Sequence, residues 1–282
     1  MSDKKNNFTR PRKITITPPR GWLDLRIIEI WEFRELLYFL TWRDIKVRYK
    51  QTALGAAWAV IQPLMSMVIF TVIFGRFAKL PSEGIPYPVF SLAALIPWQL
   101  FSRALNDASS SLVSNQHMIS KIYFPRLFLP ASSIASGLVD FGIAFLVLIL
   151  MMAYYKVDAS WRLLLLPVFT LLTITNAMAA GMWLSALNVR FRDIKYVTPF
   201  LLQFWLYATP VAYSSTIIPE QWRSLYGLNP MAGVVNGFRW ALFGQSFESV
   251  NLFIVSAGAV LVFFISGLIY FQRMEQTFAD LI

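Results

Sequence analysis

Apolar residues are gathered along this chain into long blocks, with the charged residues confined mostly to the segments between them. A helix needs about 20 predominantly apolar residues to cross the ~30 Å hydrocarbon layer of a bilayer. Six blocks predict transmembrane helices, at residues 53–74, 86–101, 127–155, 163–189, 197–213 and 252–271. The pattern therefore predicts an all-α integral membrane protein whose six spans occupy residues 51–272.

The distribution of Lys and Arg predicts the orientation of these spans. If the spans alternate in direction from residue 1, 19 of the 25 basic residues lie on the side of the two termini and 6 on the other side. Because basic loops stay in the cytoplasm, both termini are expected there. The chain has no cysteine and a single histidine, His117, which excludes a disulfide framework and multi-histidine metal sites within it.

The region before the first span is predicted to contain a disordered tail and a helix. Residues 1–21 are polar, basic and interrupted by prolines, and residues 273–282 form a second short tail. Residues 22–50 turn helical, with one face formed by Tyr38, Trp42, Ile45 and Tyr49. Arg43, Lys46 and Lys50 lie beside that face. An amphipathic helix in the plane of the membrane interface is one interpretation, and a helix packed on other protein is the alternative.

One charge and one unusual segment interrupt the simple pattern of spans. Asp140 is the only charged residue inside a predicted span. It is interpreted as a relay or substrate contact, as a carboxyl hydrogen-bonded to a neighbouring helix, or as a carboxyl near the outer third of the span. Residues 214–247 are too long for a turn and too apolar for a free loop. They predict a pair of short re-entrant helices between spans five and six, dipping into the outer leaflet.

The chain has no phosphate-binding loop of the G-x-x-x-x-G-K-[ST] type, so the energy for any uphill transport is expected from a partner. Residues 115–126, NQHMISKIYFPR, are the best candidate for docking it. Ser114 or Asn115 can cap a short helix and Pro125 can end it. That helix would present Met118, Ile122, Tyr123 and Phe124 to the cytosol. The alternative is an ordinary connector.

Four segments resemble one family, the membrane subunits of polysaccharide-exporting ABC transporters. They read RDIKVRYKQTALGAAWAVIQPL (43–64), NQHMISKIYFPRLFLP (115–130), LNVRFRDIKYVTPFLLQFWLYATPVAYS (187–214) and IIPEQWRSLYGLNPMAGVVNGFRWALFG (217–244). They cover most of the chain in the order expected for the family. The permeases for O-antigen and teichoic acid are the nearest branch, and those for capsule fit less well.

The resemblance implies a homodimeric permease in the bacterial inner membrane that binds two copies of a separate ATPase. ATP and Mg would be held by that partner, with no cofactor, metal or catalytic residue on this chain. Residues 22–50 would be the interfacial helix and 217–244 the outer gate, with Pro219, Trp222, Tyr226 and Pro230. The coupling helix that contacts the ATPase would comprise Asn115, His117, Met118, Ile122, Tyr123, Phe124 and Arg126.

A lipid-linked glycan needs aromatic and cationic contacts along its route. Sugar C–H faces stack on aromatic rings, and the candidates on spans one and five are Trp58, Phe70, Phe74, Phe204, Trp205, Tyr207 and Tyr213. Such rings also populate the interfacial belts of any membrane protein. Recognition of a lipid pyrophosphate is assigned to Arg43, Lys46, Arg48 and Lys50, for which binding of anionic membrane lipids is the alternative.

The expected function is export of an undecaprenyl-pyrophosphate-linked polysaccharide such as O-antigen. The alternatives are an ABC exporter of teichoic acid, a drug or a lipid, and an intramembrane enzyme acting on sugar-linked lipids. The enzyme would need clustered carboxylates or a histidine base, whereas Asp107, His117 and Asp193 lie on separate segments. Nucleic acid is not expected as a partner, since the net charge of +10 is placed by membrane topology.

Overall fold

The computed structural model describes residues 31–50, 55, 57–244 and 250–278, and all regular structure within these ranges is helical. The α-helices are α1 (Arg34–Lys50), α2 (Ala57–Phe70), α3 (Tyr87–Ser114), α4 (Gln116–Ile119), α5 (Phe128–Tyr154), α6 (Leu166–Arg190), α7 (Ile194–Ala208), α8 (Glu220–Tyr226), α9 (Pro230–Phe243) and α10 (Val250–Glu275). The predicted tail at 1–21 and residues 22–30 and 279–282 lie outside the described residues.

Four helical stretches within the described ranges are long and apolar enough to cross a membrane. They are Ala57–Phe77, in which a π-helical turn extends α2, Phe128–Tyr154, Trp161–Arg190, in which a 3₁₀ turn precedes α6, and Val250–Glu275. These correspond to the predicted first, third, fourth and sixth spans. The all-helical membrane fold is thus confirmed for these stretches.

The predicted second and fifth spans coincide with α3 and α7. The 28 residues of α3 include Arg103 and Asp107, and the 15 residues of α7 extend only about 22 Å at 1.5 Å per residue. The helix of the fifth block was predicted to end at residue 213, but it ends at Ala208. Thr209 is extended, with ψ 143°, because the ring of Pro210 disfavours helical geometry in the residue before it. Six crossings stay a prediction.

Helix α3 lies at the centre of the molecule. Eighteen of its 28 residues are buried, and α2, α5, α6, α7 and α9 all pack against it. Its contact with α6 depends on small residues: a Cβ added to Gly181 would lie 2.9 Å from the Cβ of Ala108. Lipid tails are as apolar as the side chains, so the hydrophobic effect does not bring two helices together within a membrane. Small residues allow the close approach on which their packing depends.

The segment between the fifth and sixth blocks contains two helices, α8 and α9. Asn229 caps α9 by accepting a hydrogen bond from the amide of Met231, with Pro230 at the first helical position. Gly244 ends α9 in the left-handed conformation, with φ 69°. Most of α9 is buried against α3, α6 and α10, where a Cβ on Gly237 would overlap the ring of Phe169. Whether the pair dips into the outer leaflet stays a prediction.

Candidate functional site

The candidate coupling segment follows directly from the central helix. Only Gln116–Ile119 are helical, which makes α4 shorter than the helix predicted for residues 115–126. Asn115 was predicted as a possible cap of α4, but its side chain makes no capping hydrogen bond there. Its Nδ2 donates instead to the carbonyl of Ser111 over 2.8 Å, at the end of α3. The side chain therefore completes the end of α3, and the chain after Ser120 continues without a helix.

The exposed part of the segment is smaller than predicted. His117 is exposed, as are Ile122 (59%) and Tyr123 (45%), and Met118 is half-buried. Phe124 was predicted to face the cytosol, but only 3% of it is exposed. It belongs to an apolar cluster that we term the α4 cluster. Its members include Leu40 of α1, Leu112 of α3, Ile119 of α4 and Phe128 of α5. Burial of the Phe124 ring stabilises the protein more than its exposure would. The two adjacent aromatic residues therefore differ, with Tyr123 at the surface and Phe124 in the core.

Arg126 likewise serves an internal contact instead of an exposed docking surface. Its backbone amide donates to the Glu275 carboxylate over 3.3 Å, and its guanidinium donates to the Glu275 carbonyl. The guanidinium also lies 5.8 Å from the ring centroid of the buried Phe278. The chain that leaves α4 is thereby fastened to the end of α10.

Asp140, the one charge in a predicted span, lies at the centre of a group that we term the ion cluster: Arg48, Arg103, Asp107 and Asp140. Arg48 donates to Asp140 over 2.6 Å and to Asp107 over 2.7 Å. Arg103 donates to the same Asp140 oxygen, and the hydroxyl of Tyr49 donates to the other. The predicted hydrogen bonding of Asp140 to neighbouring helices is observed.

The ion cluster changes the picture of α1. Arg48 was predicted to face a lipid pyrophosphate, but it points into the protein toward two carboxylates. Burial, and then the hydrogen bond to Asp140, raises the pKa of Tyr49 to about 12. Outside the cluster, Arg43 pairs with the adjacent Asp44, and Lys46 lies 5.4 Å from the ring of Trp42. Lys50 is exposed.

Helix α1 also runs alongside the start of α5. The Ser132 hydroxyl donates to Asp44 over 3.1 Å, and Arg48 donates to the Ser136 hydroxyl over 3.3 Å. Both helices advance by four residues between these contacts, so they run parallel over this turn. Tyr38 and Trp42 on α1 remain exposed. One side of α1 is therefore packed on protein, as in the alternative to the interfacial helix, and its aromatic side is exposed.

The predicted pathway aromatics fall into two groups. Trp58 on α2 and Phe204 and Tyr207 on α7 are exposed. The others are half-buried within the subunit: Phe70 and Phe74 pack on each other at 5.3 Å between centroids, Trp205 donates to Asn229 over 2.8 Å, and the hydroxyls of Tyr213 and Tyr226 are 3.0 Å apart. Trp205 was predicted to line the pathway, but its indole points toward Asn229 and Phe101.

The outer-gate prediction covers residues in different settings. Pro219 and Trp222 are exposed, Tyr226 is half-buried, and Pro230 is buried at the start of α9. Sequence reasoning missed Arg239, which is 4% exposed on α9. It donates to the carbonyls of Pro210 and Val211, each over 2.8 Å, and of Tyr213 over 3.0 Å. The signal in the sequence was a lone arginine in an otherwise apolar segment. In the structure Arg239 anchors the chain after α7.

Comparison with known proteins places these features in a family context. Residues 35–243 match the model of the ABC-2 type transporter membrane family. The chain is 31% identical over 253 residues to an O-antigen export system permease of Myxococcus xanthus, covering 88% of this chain and 96% of the relative. It is 27% identical over 252 residues to an O-antigen export system permease of Klebsiella pneumoniae (88% and 95%). It is also 27% identical over 238 residues to the polysialic acid transport protein KpsM of Escherichia coli (83% and 91%).

Proposed function

This chain belongs to the ABC-2 type transporter family, and from that membership we propose that it is the membrane permease of an exporter of lipid-linked polysaccharide. The proposed substrate is a glycan carried on a polyprenyl pyrophosphate, such as an O-antigen. The chain is a transport permease and not an enzyme, and ATP hydrolysis takes place on a separate subunit. The proposed location is the bacterial inner membrane with both termini in the cytoplasm, which the 19 to 6 split of basic residues supports.

The observation that carries the proposal is the position of α4. It follows α3, the central helix, and the segment that it begins displays His117, Ile122 and Tyr123 at the surface. A push on this exposed segment would be delivered directly to the centre of the bundle, because packed helices transmit displacement with little compression. We assign His117, Met118, Ile122 and Tyr123 to contact with the ATPase, of which two copies would serve a permease dimer. Asn115, Phe124 and Arg126 would support that surface from inside.

The pathway is proposed to follow the exposed faces of α2 and α7, between two copies of the chain. Phe200, Phe204 and Tyr207 form a stripe on α7, and the rings of Phe200 and Phe204 are 4.6 Å apart. Trp58 offers a further exposed ring on α2. Such rings stack on the C–H faces of sugars and tolerate different glycans. The outer exit would pass α8 and α9.

The lipid pyrophosphate is proposed to bind near the exposed basic residues of α1. Lys46 and Lys50 keep their ammonium groups accessible, and Arg43 is partly exposed beside Asp44. Arg48 is removed from this set because it already neutralises two carboxylates. The exposed aromatic side of α1 supports a position at the membrane surface, where a lipid headgroup is found.

The test of the proposed function is export itself. Loss of the chain should abolish the polysaccharide at the cell surface, measured with an antibody or lectin on intact cells, and restoration of the chain should return it. Normal surface polysaccharide in its absence would contradict the proposal. An ATPase activity of the complex that responds to small hydrophobic compounds and not to the lipid-linked glycan would point instead to a drug or lipid exporter.

The coupling segment can be tested separately. Ile122→Ala together with Tyr123→Ala should uncouple the ATPase and lower export about 10-fold, because the docking surface is lost while the core stays intact. The chain should still accumulate in the membrane in normal amounts. Phe124→Ala is the matched comparison: it removes a buried ring, so it should reduce the amount of folded chain. Unchanged export in the double variant would rule out docking at this surface.

A further inference from the structure

We propose that the ion cluster is a permanent joint that makes α1 move with the coupling segment. On this view Arg48 and Asp140 are positioning residues that carry the motion of α3 and α5 to α1, at the proposed site of lipid binding. The inference rests on the proposed function only in using export as one readout. It assigns Arg48 and Asp140 a mechanical role, in contrast to lipid recognition or proton relay.

The first support is the way in which the ion cluster joins helices that are distant in sequence. Arg48 comes from α1, Arg103 and Asp107 from α3, and Asp140 from α5. Asp140 lies 92 residues from Arg48 and 37 from Arg103. Arg103 also donates to Gln62, which adds α2 to the group. One carboxylate thus links three helices through charge-assisted hydrogen bonds, the strongest class available to side chains.

The second support is charge balance. Two guanidiniums face two carboxylates, so the cluster is neutral when all four groups are ionised. The side chain of Asp140 is only 10% exposed, and those of Arg48 and Arg103 are 24% and 27% exposed. The side chain of Asp107 is 34% exposed. Separating these groups would leave partly buried charges without partners, which is unfavourable. We therefore infer that the joint stays closed while the transporter works.

The third support is a second attachment nearer to α4. Leu40 of α1 is 1% exposed and belongs to the α4 cluster with Leu112, Ile119 and Phe124. Helix α1 is consequently held to the coupling segment at one point and to α3 and α5 at another. Two separate attachments prevent α1 from pivoting freely, so a displacement of α4 must reposition α1 as well.

A charge-balanced double variant tests the joint without leaving an unpaired charge. Arg48→Met with Asp140→Leu removes one cation and one anion, and the cavity beside Asp140, between α2, α3 and α5, gives the leucine room. Arg103 keeps Gln62 as a partner and lies one helical turn from Asp107. Replacing a buried ion pair by apolar residues is often neutral for stability, so the chain should fold normally. We expect export per ATP hydrolysed to fall about 10-fold, within the usual range for coupling between sites.

The control pair lies elsewhere in the chain. Lys156→Gln with Asp158→Asn also removes one cation and one anion, from exposed positions between α5 and α6. It should leave export per ATP unchanged. Wild-type coupling in the Arg48→Met, Asp140→Leu variant would overturn the proposal, because the pair would then be only structural.

Rescue by a new covalent link separates a mechanical role from a substrate-binding one. Since the chain has no cysteine, Asp44→Cys and Ser132→Cys would be its only thiols. These side chains are in contact across α1 and α5. A short bis-methanethiosulfonate reagent can join the two cysteines through a disulfide at each end, with release of two methanesulfinate ions, and a reductant reverses the link. In the chain that carries only the two cysteine substitutions, the link should leave export active. In the chain that also carries Arg48→Met and Asp140→Leu, the link should restore coupling. Failure of that rescue, or loss of export on linking the otherwise unchanged chain, would overturn the joint.

A distance measurement is independent of what is transported. Spin labels at Val47→Cys on α1 and Ser120→Cys after α4 both occupy exposed positions. In the assembled complex their separation should be the same with and without ATP, and should broaden or shift with ATP in the Arg48→Met, Asp140→Leu variant. A nucleotide-dependent distance with the joint intact would overturn the inference. A failure of glycan export in the wild-type complex would instead count against the proposed function alone.

Discussion

Helices α3 and α7 look alike in sequence and have opposite roles in the structure. Both coincide with short apolar blocks that contain a proline, Pro97 in α3 and Pro199 in α7. Yet α3 buries 18 of its 28 residues and α7 only two of its 15. Apolar composition alone thus does not tell a helix that meets other helices from one that meets lipid or a second subunit.

The difference follows from side-chain size and position. Along α3, small residues such as Ala104 and Ala108 let neighbouring helices approach closely. Along α7, the large rings of Tyr196, Phe200 and Phe204 point away from the subunit, and Leu202 is one of the two residues that it buries. Helix α3 is thus suited to stabilise the bundle, and α7 to offer a surface, and each of the following substitutions tests that division.

The largest expected effect is that of Phe101→Ala on α3. The ring is fully buried and packs against Trp98 and Trp205, with centroids 5.6 and 4.9 Å away. Its removal leaves a cavity and should cost about 3–5 kcal/mol in the free energy of unfolding, measured by denaturation in detergent micelles. Phe204→Ala on α7 is the matched control, because that ring is 61% exposed, and it should cost well under about 1 kcal/mol. Equal effects would contradict the division.

An overpacking substitution at the contact of α3 with α6 comes next. Gly181→Leu places a side chain against Ala108 and should cost about 1–3 kcal/mol in the free energy of unfolding. Gly142→Leu on α5 is the control, because no heavy atom lies within 4 Å of a Cβ built there. Partial recovery on adding Ala108→Gly would identify the clash with α3 as the cause. Tolerance of Gly181→Leu alone would show that α3 is less tightly held than described.

A smaller effect is expected at the point where α7 meets the rest of the subunit. Trp205→Phe keeps a ring against Phe101 but removes the hydrogen bond to Asn229, so it should cost about 1 kcal/mol in the free energy of unfolding. The same denaturation experiment measures it, with Phe200→Leu as a control at an exposed position of the same helix. Equal costs would mean that the indole hydrogen bond does not hold α7.

The smallest effect on stability is expected on the exposed stripe of α7, where function should change instead. Phe200→Ala with Phe204→Ala should alter the free energy of unfolding by less than about 1 kcal/mol. Export should nevertheless fall severalfold, because sugar stacking on the two rings is lost. Surface polysaccharide and chain amount are measured in the same cells. Full export would assign the stripe to lipid contact.

Sequence reasoning succeeded where a property is repeated along the chain and failed where it depends on one contact. Four of the predicted spans are confirmed because apolar length is a local signal. Phe124 was wrongly predicted to be exposed, since adjacent residues after a short helix give no period that separates Tyr123 from it. The partners of Arg48, Asp107 and Asp140, lie 59 and 92 residues away from it. Because no local pattern shows such pairs, Arg48 was predicted to bind the lipid pyrophosphate.

The amino-acid sequence by itself determined that the chain is a helical membrane protein and the family to which it belongs. Each of these properties is a sum over many residues, so no single contact can change it. Only the tertiary structure decided that α3 is the central helix, that Asp140 joins α1, α3 and α5, and that Arg239 is anchored on backbone carbonyls. Such assignments depend on which side chains meet after packing, and in a low-dielectric interior each buried charge must find its partner there.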